Sequence, residues 1–194
     1  MAELRRRGYD PAAMRCLEVF GGTGDIHLLD YAHRIRELTI WEIDKTAASR
    51  LRQRFPAATI QTVDSHKEVE RHEGRYELIV IDNPMSTYGP WCEHFGLFPD
   101  VFRLAADRAV MMVAVIPDAD AGARSAYPYL FNRSQLEERR RFYRAGDPEH
   151  VPFDSMVKIY AEHAESAGLS IDWWFSQRRT HMHYLVLGLS RATV

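Results

Sequence analysis

Four short stretches in the first half of the chain place glycines, carboxylates and hydroxyls directly behind apolar runs. They are EVFGGTGD at residues 18–25, WEID at 41–44, VDS at 63–65 and VIDNP at 80–84. In the first, Gly21, Gly22 and Gly24 permit backbone angles and close approach that a Cβ would block, and a following helix would aim its free amides into the same space. Glu18 stands just before them, and a tight strand-to-helix turn would explain the same glycines. Glu42 follows about twenty residues later, at the place where a carboxylate can accept two ribose hydroxyls or answer a helix dipole. Asp64 and Ser65 offer a carboxylate and a hydroxyl to an adenine edge, or to the cap of the next helix. Asp82 and Asn83 end the fourth run as polar acceptors before a proline that constrains the backbone.

Such residues act together only if their elements bring them to one edge. Apolar runs at residues 15–20, 38–42, 58–63, 76–81 and 109–116 read as strands, several of them apolar on consecutive residues as parallel strands covered on both faces are. Amphipathic segments at 26–36, 45–55 and 98–107 read as the helices between them, the last from the spacing of Leu97, Val101, Leu104 and Ala105. A helix at 153–167 has Asp154 or Ser155 near its start and Gly168 after its end. Two late strands, 169–177 and 183–189, are joined by too few residues for a crossover helix and so must be antiparallel. The expectation is an α/β fold: a doubly wound, mostly parallel seven-stranded sheet with a C-terminal antiparallel pair. In such a sheet, ligands lie beyond the carboxyl ends of the strands.

The chain has 194 residues, 46% of them hydrophobic and 27% charged, which fits one domain with a sizeable core, here 1–194. With 25 lysines and arginines against 27 aspartates and glutamates, no global basic field announces a nucleic-acid partner. Two cysteines exclude a disulfide scaffold and fit a reducing compartment. No leader-like h-region or long apolar run is present, so a cytoplasmic protein without a membrane segment is expected. Residues 117–152 break the alternation and read as an insertion for substrate recognition. In it Tyr127, Tyr129 and Phe131 could line a pocket, and Arg139, Arg140, Arg141 and Arg144 could meet phosphate or carboxylate or could pair with glutamates on a solvated helix. The segment's six acidic residues offset its six arginines, which does not favour a nucleic-acid groove. His181 and His183 alternate by two, as a metal pair on one strand face would, but no third ligand is placed and no metal is expected. Of Trp173 and Trp174, a regular strand sends one to the core and the other outward, to a pocket wall or to the surface of a homodimer.

EVFGGTGD resembles the glycine motif of class I S-adenosyl-L-methionine-dependent methyltransferases, and WEID, VDS and ELIVIDNP resemble that family's next three strand ends in order and spacing. The resemblance runs from about Arg15 to Ser190. It implies S-adenosyl-L-methionine as cofactor: Glu18 and the Gly22 and Gly24 backbone facing its methionine part, Glu42 its ribose, Ile43 its adenine face, Asp64 with Ser65 the adenine amino group, and Asp82 the mouth between cofactor and acceptor. It implies methyl transfer to nitrogen or oxygen, with Asp82, Asn83 and Tyr88 nearest the reacting atoms. A small-molecule acceptor is preferred over nucleic acid, because the net charge is slightly negative and no basic stripe stands unopposed; DNPM matches the motif of base and amide methyltransferases only in part, Asn83 and Met85 replacing a proline and an aromatic. IDNPMSTYGPW also resembles aminopropyltransferases of the same fold, though Met85 stands where they carry an acid. A non-catalytic scaffold that binds the cofactor is the remaining alternative.

Overall fold

The computed structural model describes residues 1–25, 27–83, 94–126 and 128–191. The predicted Tyr88, the DNPM residues from Pro84 onward, Tyr127 and the side chain of Tyr129 lie outside the described residues. One seven-stranded sheet runs in the order β3-β2-β1-β4-β5-β7-β6. Its strands are β1 (Arg15–Glu18), β2 (Glu37–Glu42), β3 (Thr59–Thr62), β4 (Tyr76–Ile81), β5 (Ala105–Val115), β6 (Leu169–Arg179) and β7 (Met182–Arg191). The first five are mutually parallel, β7 pairs antiparallel with β5, and β6 with β7. The chain winds outward from β1 to β3 and then returns to place β4 on the other side of β1. The order therefore reverses between β1 and β4, and the crevice for a ligand opens at the carboxyl ends of those two strands.

Period-2 alternation assigns each strand residue to one of two cores. Leu17, Val19, Ile79, Ile81, Met111, Val113, Leu185 and Leu187 face the side covered by helix α7 (Phe153–Ser166) through Met156, Ile159 and Tyr160. Cys16, Ile40, Leu78, Val80, Val110, Ala114, Tyr184 and Val186 face the opposite side. There they meet Leu4 of α1 (Ala2–Arg6), Leu28 and Tyr31 of α2 (His27–Tyr31) and Leu51 of α3 (Lys45–Arg54). Cys16 is buried on this face with its thiol reduced.

Two expected helices take other forms. Residues 98–107 hold a 3-10 turn at Asp100–Leu104, preceded by another at Phe95–Leu97, and β5 already begins at Ala105. Pro99 disfavours helical backbone at Phe98 and lacks an N–H, while Ala105 is already claimed by Tyr76 of β4. Leu97, Val101, Leu104 and Ala105 are buried all the same, because a 3-10 turn repeats every three residues and also keeps one side inward. Residues 26–36 shorten to α2 and a 3-10 turn at Ala32–Arg34, since the amides of Arg36 and Glu37 both donate to the Met14 carbonyl and pull the chain out toward β2. Helix α7 begins without a side-chain cap, Asp154 lying in its first turn, and ends at Gly168 in the left-handed region with φ 73°.

The segment 117–152 holds α5 (Ala121–Ala126), a 3-10 turn at Pro128–Phe131 and α6 (Arg133–Tyr143). Asn132 caps α6, its side chain accepting from the Gln135 amide at 3.0 Å. Arg140 and Arg141 pair with Glu137 and Glu138, as on a solvated helix, and Arg144, just past its end, pairs with Glu162 of α7. Arg139 has the opposite fate and is wholly buried, its guanidinium donating to the carbonyls of Pro148 at 2.8 Å and Ile116 at 2.7 Å. It corrects the expectation of an arginine that meets a ligand. Phe131 packs with Ile116, Ala119 and Ala123 in a small core of the segment's own, so it is not an open pocket wall.

Candidate functional site at the strand ends

The glycine turn leaves β1 with the Gly21 amide donating to the Trp41 carbonyl at 2.9 Å, which fixes it against the end of β2. Gly24 has φ 68°, and a Cβ there would strike the Leu51 and Phe55 side chains at 2.7 Å, so its job is to let the turn press on α3. Gly22 is different. Its φ is 54°, yet nothing lies within 4 Å of where a Cβ would sit, so bare backbone faces open space. Glu42 reaches back from β2 to this point, one oxygen accepting from the Gly22 amide at 2.6 Å and the other from the Asp44 amide at 2.7 Å. Burial pushes its carboxyl above the usual range against these two amides, and each oxygen keeps a lone pair for a further donor. Ile43, next along the chain, is 48% exposed, an apolar surface beside a carboxylate.

Asp64 caps α4 (Ser65–Arg71), one oxygen accepting from the His66 amide at 3.1 Å, with the other 3.6 Å from the Lys67 ammonium. The Ser65 hydroxyl donates to the Val19 carbonyl at 2.5 Å and straps α4 to the end of β1. Of the two readings open for this pair, the cap is the one with hydrogen bonds.

The densest cluster lies between the ends of β1 and β4. Glu18 is fully buried, and one of its oxygens receives the Tyr31 hydroxyl and His27 Nε2, the latter at 3.1 Å. The other oxygen, Oε1, is buried with no hydrogen-bond partner among the described residues. His27 Nδ1 pairs with Asp82 Oδ2, and the same Asp82 oxygen accepts from the Tyr184 hydroxyl at 3.0 Å and lies 3.4 Å from the Arg179 guanidinium. His27 is thus clamped between two carboxylates. Burial alone would drive its proton off, but Glu18 first and Asp82 second outweigh that and push its pKa up to about 10. Asp82 moves the other way, because His27, Tyr184 and Arg179 together overcome burial and hold its carboxyl below the usual range. Asn83 follows it, half-buried at the same edge.

Sequence reasoning missed His27, Tyr31, Arg179 and Tyr184. His27 had a local signal, a histidine three residues beyond the last glycine of the turn. Arg179 and Tyr184 come from the β6–β7 hairpin, about a hundred residues from Asp82, and carry no local mark. His181, by contrast, falls in the two-residue hairpin turn and packs on Gly122, with Nδ1 3.9 Å from Asp120. His183 lies on β7 against Phe153, at 5.0 Å between ring centroids. The pair is therefore not a strand-face pair, and no cluster of three metal-ligating side chains occurs among the described residues. Trp173 and Trp174 do part: Trp173 stacks on Phe175 and packs with the second core, while Trp174 is 36% exposed.

Comparison with solved structures gives matches over nearly the whole chain. Trm1 of Pyrococcus horikoshii, in complex with S-adenosyl-L-methionine, aligns over 92% of this chain and 51% of its own at a TM-score of 0.65 and 16% identity. The chain spans about half the length of that protein. The class I methyltransferase fold is the fold of this chain. The same fold aligns with the N-methyltransferase NodS of Bradyrhizobium japonicum over 99% of this chain and 94% of that one, at 0.58 and 13%. The magnesium protoporphyrin IX methyltransferase ChlM of Synechocystis, with bound S-adenosylhomocysteine, aligns over 98% and 80% at 0.58 and 14%. No family model matches the sequence, and no curated protein does. No helix among the described residues is long and apolar enough to cross a membrane.

Proposed function

We propose that the chain is an S-adenosyl-L-methionine-dependent methyltransferase of one domain. The observation that carries the reading is the Gly22–Glu42–Ile43 corner: open backbone, a doubly anchored carboxylate and an exposed aliphatic side chain, adjoining on one strand edge. A nucleoside needs those three surfaces for close approach, for its ribose hydroxyls and for its base. Glu18 Oε1 is an orphaned buried acceptor at the neighbouring strand end, and an ammonium group would satisfy it. These residues fit the cofactor. Asp64 keeps one partly exposed oxygen for an adenine amino group, whereas Ser65 has its proton on Val19.

A sulfonium cofactor supplies an electrophilic methyl carbon with a neutral leaving group, so the protein has only to bind, align and remove a proton where needed. Asp82, fixed by three donors on one oxygen, holds its position at the mouth between β1 and β4. The imidazolium of His27 keeps Glu18 and Asp82 together without net repulsion and does not act as a base near neutral pH, its proton being held to about 10. The acceptor is a small molecule methylated at oxygen or nitrogen.

Isothermal titration calorimetry with S-adenosyl-L-methionine tests the reading directly. Binding in the micromolar range is expected, and folded protein that gives no heat at high micromolar cofactor overturns it. Glu42→Ala is expected to weaken that binding by about ten- to a hundredfold, the size of a lost hydrogen bond to a charged group.

A further inference from the structure

The sheet face that carries Tyr184 is thinly covered. Helices α1 and α2 have five residues each, and between them they leave Met112 of β5 only half-buried, with Val80 of β4 buried beneath the gap. A cavity of about 360 Å³ results, within the range of small-molecule pockets. Val80 and Met112 form its floor and Tyr31 a wall, and Met112 is only half-buried although it sits in the central strand β5. At one end stand His27 and Tyr184, the two side chains that hold Asp82, so the cavity abuts the strand-end cluster.

The hydrogen-bonding capacity at that end is one-sided. Both ring nitrogens of His27 are committed to carboxylates. The Tyr184 hydroxyl donates to Asp82 and accepts from Arg179, which leaves one lone pair and no proton. An incoming group must therefore bring its own O–H or N–H, and an anion would find no donor. Charge is also balanced there, His27 and Arg179 against Glu18 and Asp82, while at the open edge the Met1 ammonium and the exposed Arg34 face the exposed Asp30. At the closed end, between His27 and Tyr184, a neutral ligand loses nothing and a charged one is desolvated without a free partner.

We propose that this cavity binds a small, uncharged, ring-sized molecule bearing one hydroxyl or uncharged amine, with that donor on Tyr184, and that this molecule is the methyl acceptor. The acceptor role rests on the methyltransferase reading; the binding does not. In the transfer the acceptor's heteroatom forms a bond to the methyl carbon as the C–S bond breaks, the sulfur leaves with that electron pair as a thioether, and the acceptor's proton passes to water.

The test uses the full chain with its methionine methyls labelled with 13C, titrated with phenol, toluene, benzylamine and benzoate and followed by NMR. Phenol is expected to move the Met112 signal and not that of Met156 on the far face, with Kd on the order of 1 mM. Tyr184→Phe is expected to weaken phenol roughly three- to tenfold and leave toluene unchanged. Ala2→Trp, at an exposed position on the cavity wall, is expected to abolish the Met112 response. A silent Met112, an unchanged phenol affinity in either variant, or tighter binding of benzylamine or benzoate than of phenol overturns the inference. S-adenosyl-L-methionine calorimetry on the same sample separates the two readings. Cofactor heat with a silent Met112 sinks only the cavity assignment, and a phenol response without cofactor heat sinks only its acceptor role.

Discussion

Two histidines on opposite faces of one sheet, one mostly and one fully shielded from water, end in opposite charge states. His27 lies between Glu18 and Asp82 and keeps its proton to about pH 10. His94 is fully buried among Phe95, Phe98, Phe142 and Tyr160. Burial first and the nearby Arg139 charge second push it down to about 3, and its Nε2 and the Tyr160 hydroxyl share a hydrogen bond of 2.6 Å. Both have lost water; only one has gained carboxylates. The difference separates a region assembled to handle charge from one assembled to keep a shape, and neither the residue type nor its depth predicts which.

The largest effect is expected from removing the charge between the carboxylates. His27→Leu strands a buried Glu18 and should cost about 3 kcal/mol of stability at pH 6, read by urea denaturation. The sign of its pH dependence is set by a raised folded-state pKa: His27 contributes in full below the ordinary value of 6.5, and the contribution is lost as pH climbs through about 10. The gap between wild type and variant should accordingly narrow from pH 6.5 to 10; a constant gap would mean that His27 is neutral in the fold. Asp82→Ala keeps the histidine but removes one clamp. Its imidazole pKa, followed by NMR, should fall from about 10 toward the ordinary value, and an unchanged titration would assign the shift to Glu18 alone.

On the other face, His94→Phe fills the same space but deprives the Tyr160 hydroxyl of a partner, for a loss of about 1 kcal/mol. The depressed pKa makes wild type lose stability as pH falls from 6.5 toward 3, because the unfolded chain takes up a proton that the folded one refuses. The variant should lose less over that range, and parallel acid curves would remove His94 from the account. The smallest effect is expected at Ile43→Ala, a severalfold weakening of S-adenosyl-L-methionine binding with no change in stability, since that side chain is half exposed.

Much of the site's frame was legible because parallel strands advertise themselves. Residues 76–81 are nearly all apolar, and the polar Asp82 that ends the run lies at the observed edge. The strand ends could therefore be placed in order without knowing any contact. His27, by contrast, becomes an imidazolium only between Glu18, nine positions before it, and Asp82, fifty-five after, and Asp82 is held in part by a hairpin that begins far downstream. Charge state is a property of the assembled neighbourhood, and no window of sequence contains it. The arginines of α6 make the same point: their helix was readable from EERRRFYR, but which one of the four turns inward depends on carbonyls at Ile116 and Pro148.

That inward arginine has a consequence for how the chain tolerates change. Its guanidinium grips both roots of the 117–152 segment, and the same roots are joined by amides of Ala119 and Val151 donating to the carbonyls of Glu149 and Pro117 at 2.8 and 2.9 Å. The segment leaves the sheet and returns through a closed neck. Beyond the neck α6 stays keyed to α7, with Arg144 paired to Glu162, the Tyr143 and Tyr160 hydroxyls 3.0 Å apart and Phe142 stacked on His163, so a change in the length of α6 would be felt in the core beneath α7, whereas α5 and the turn after it lie outside those contacts.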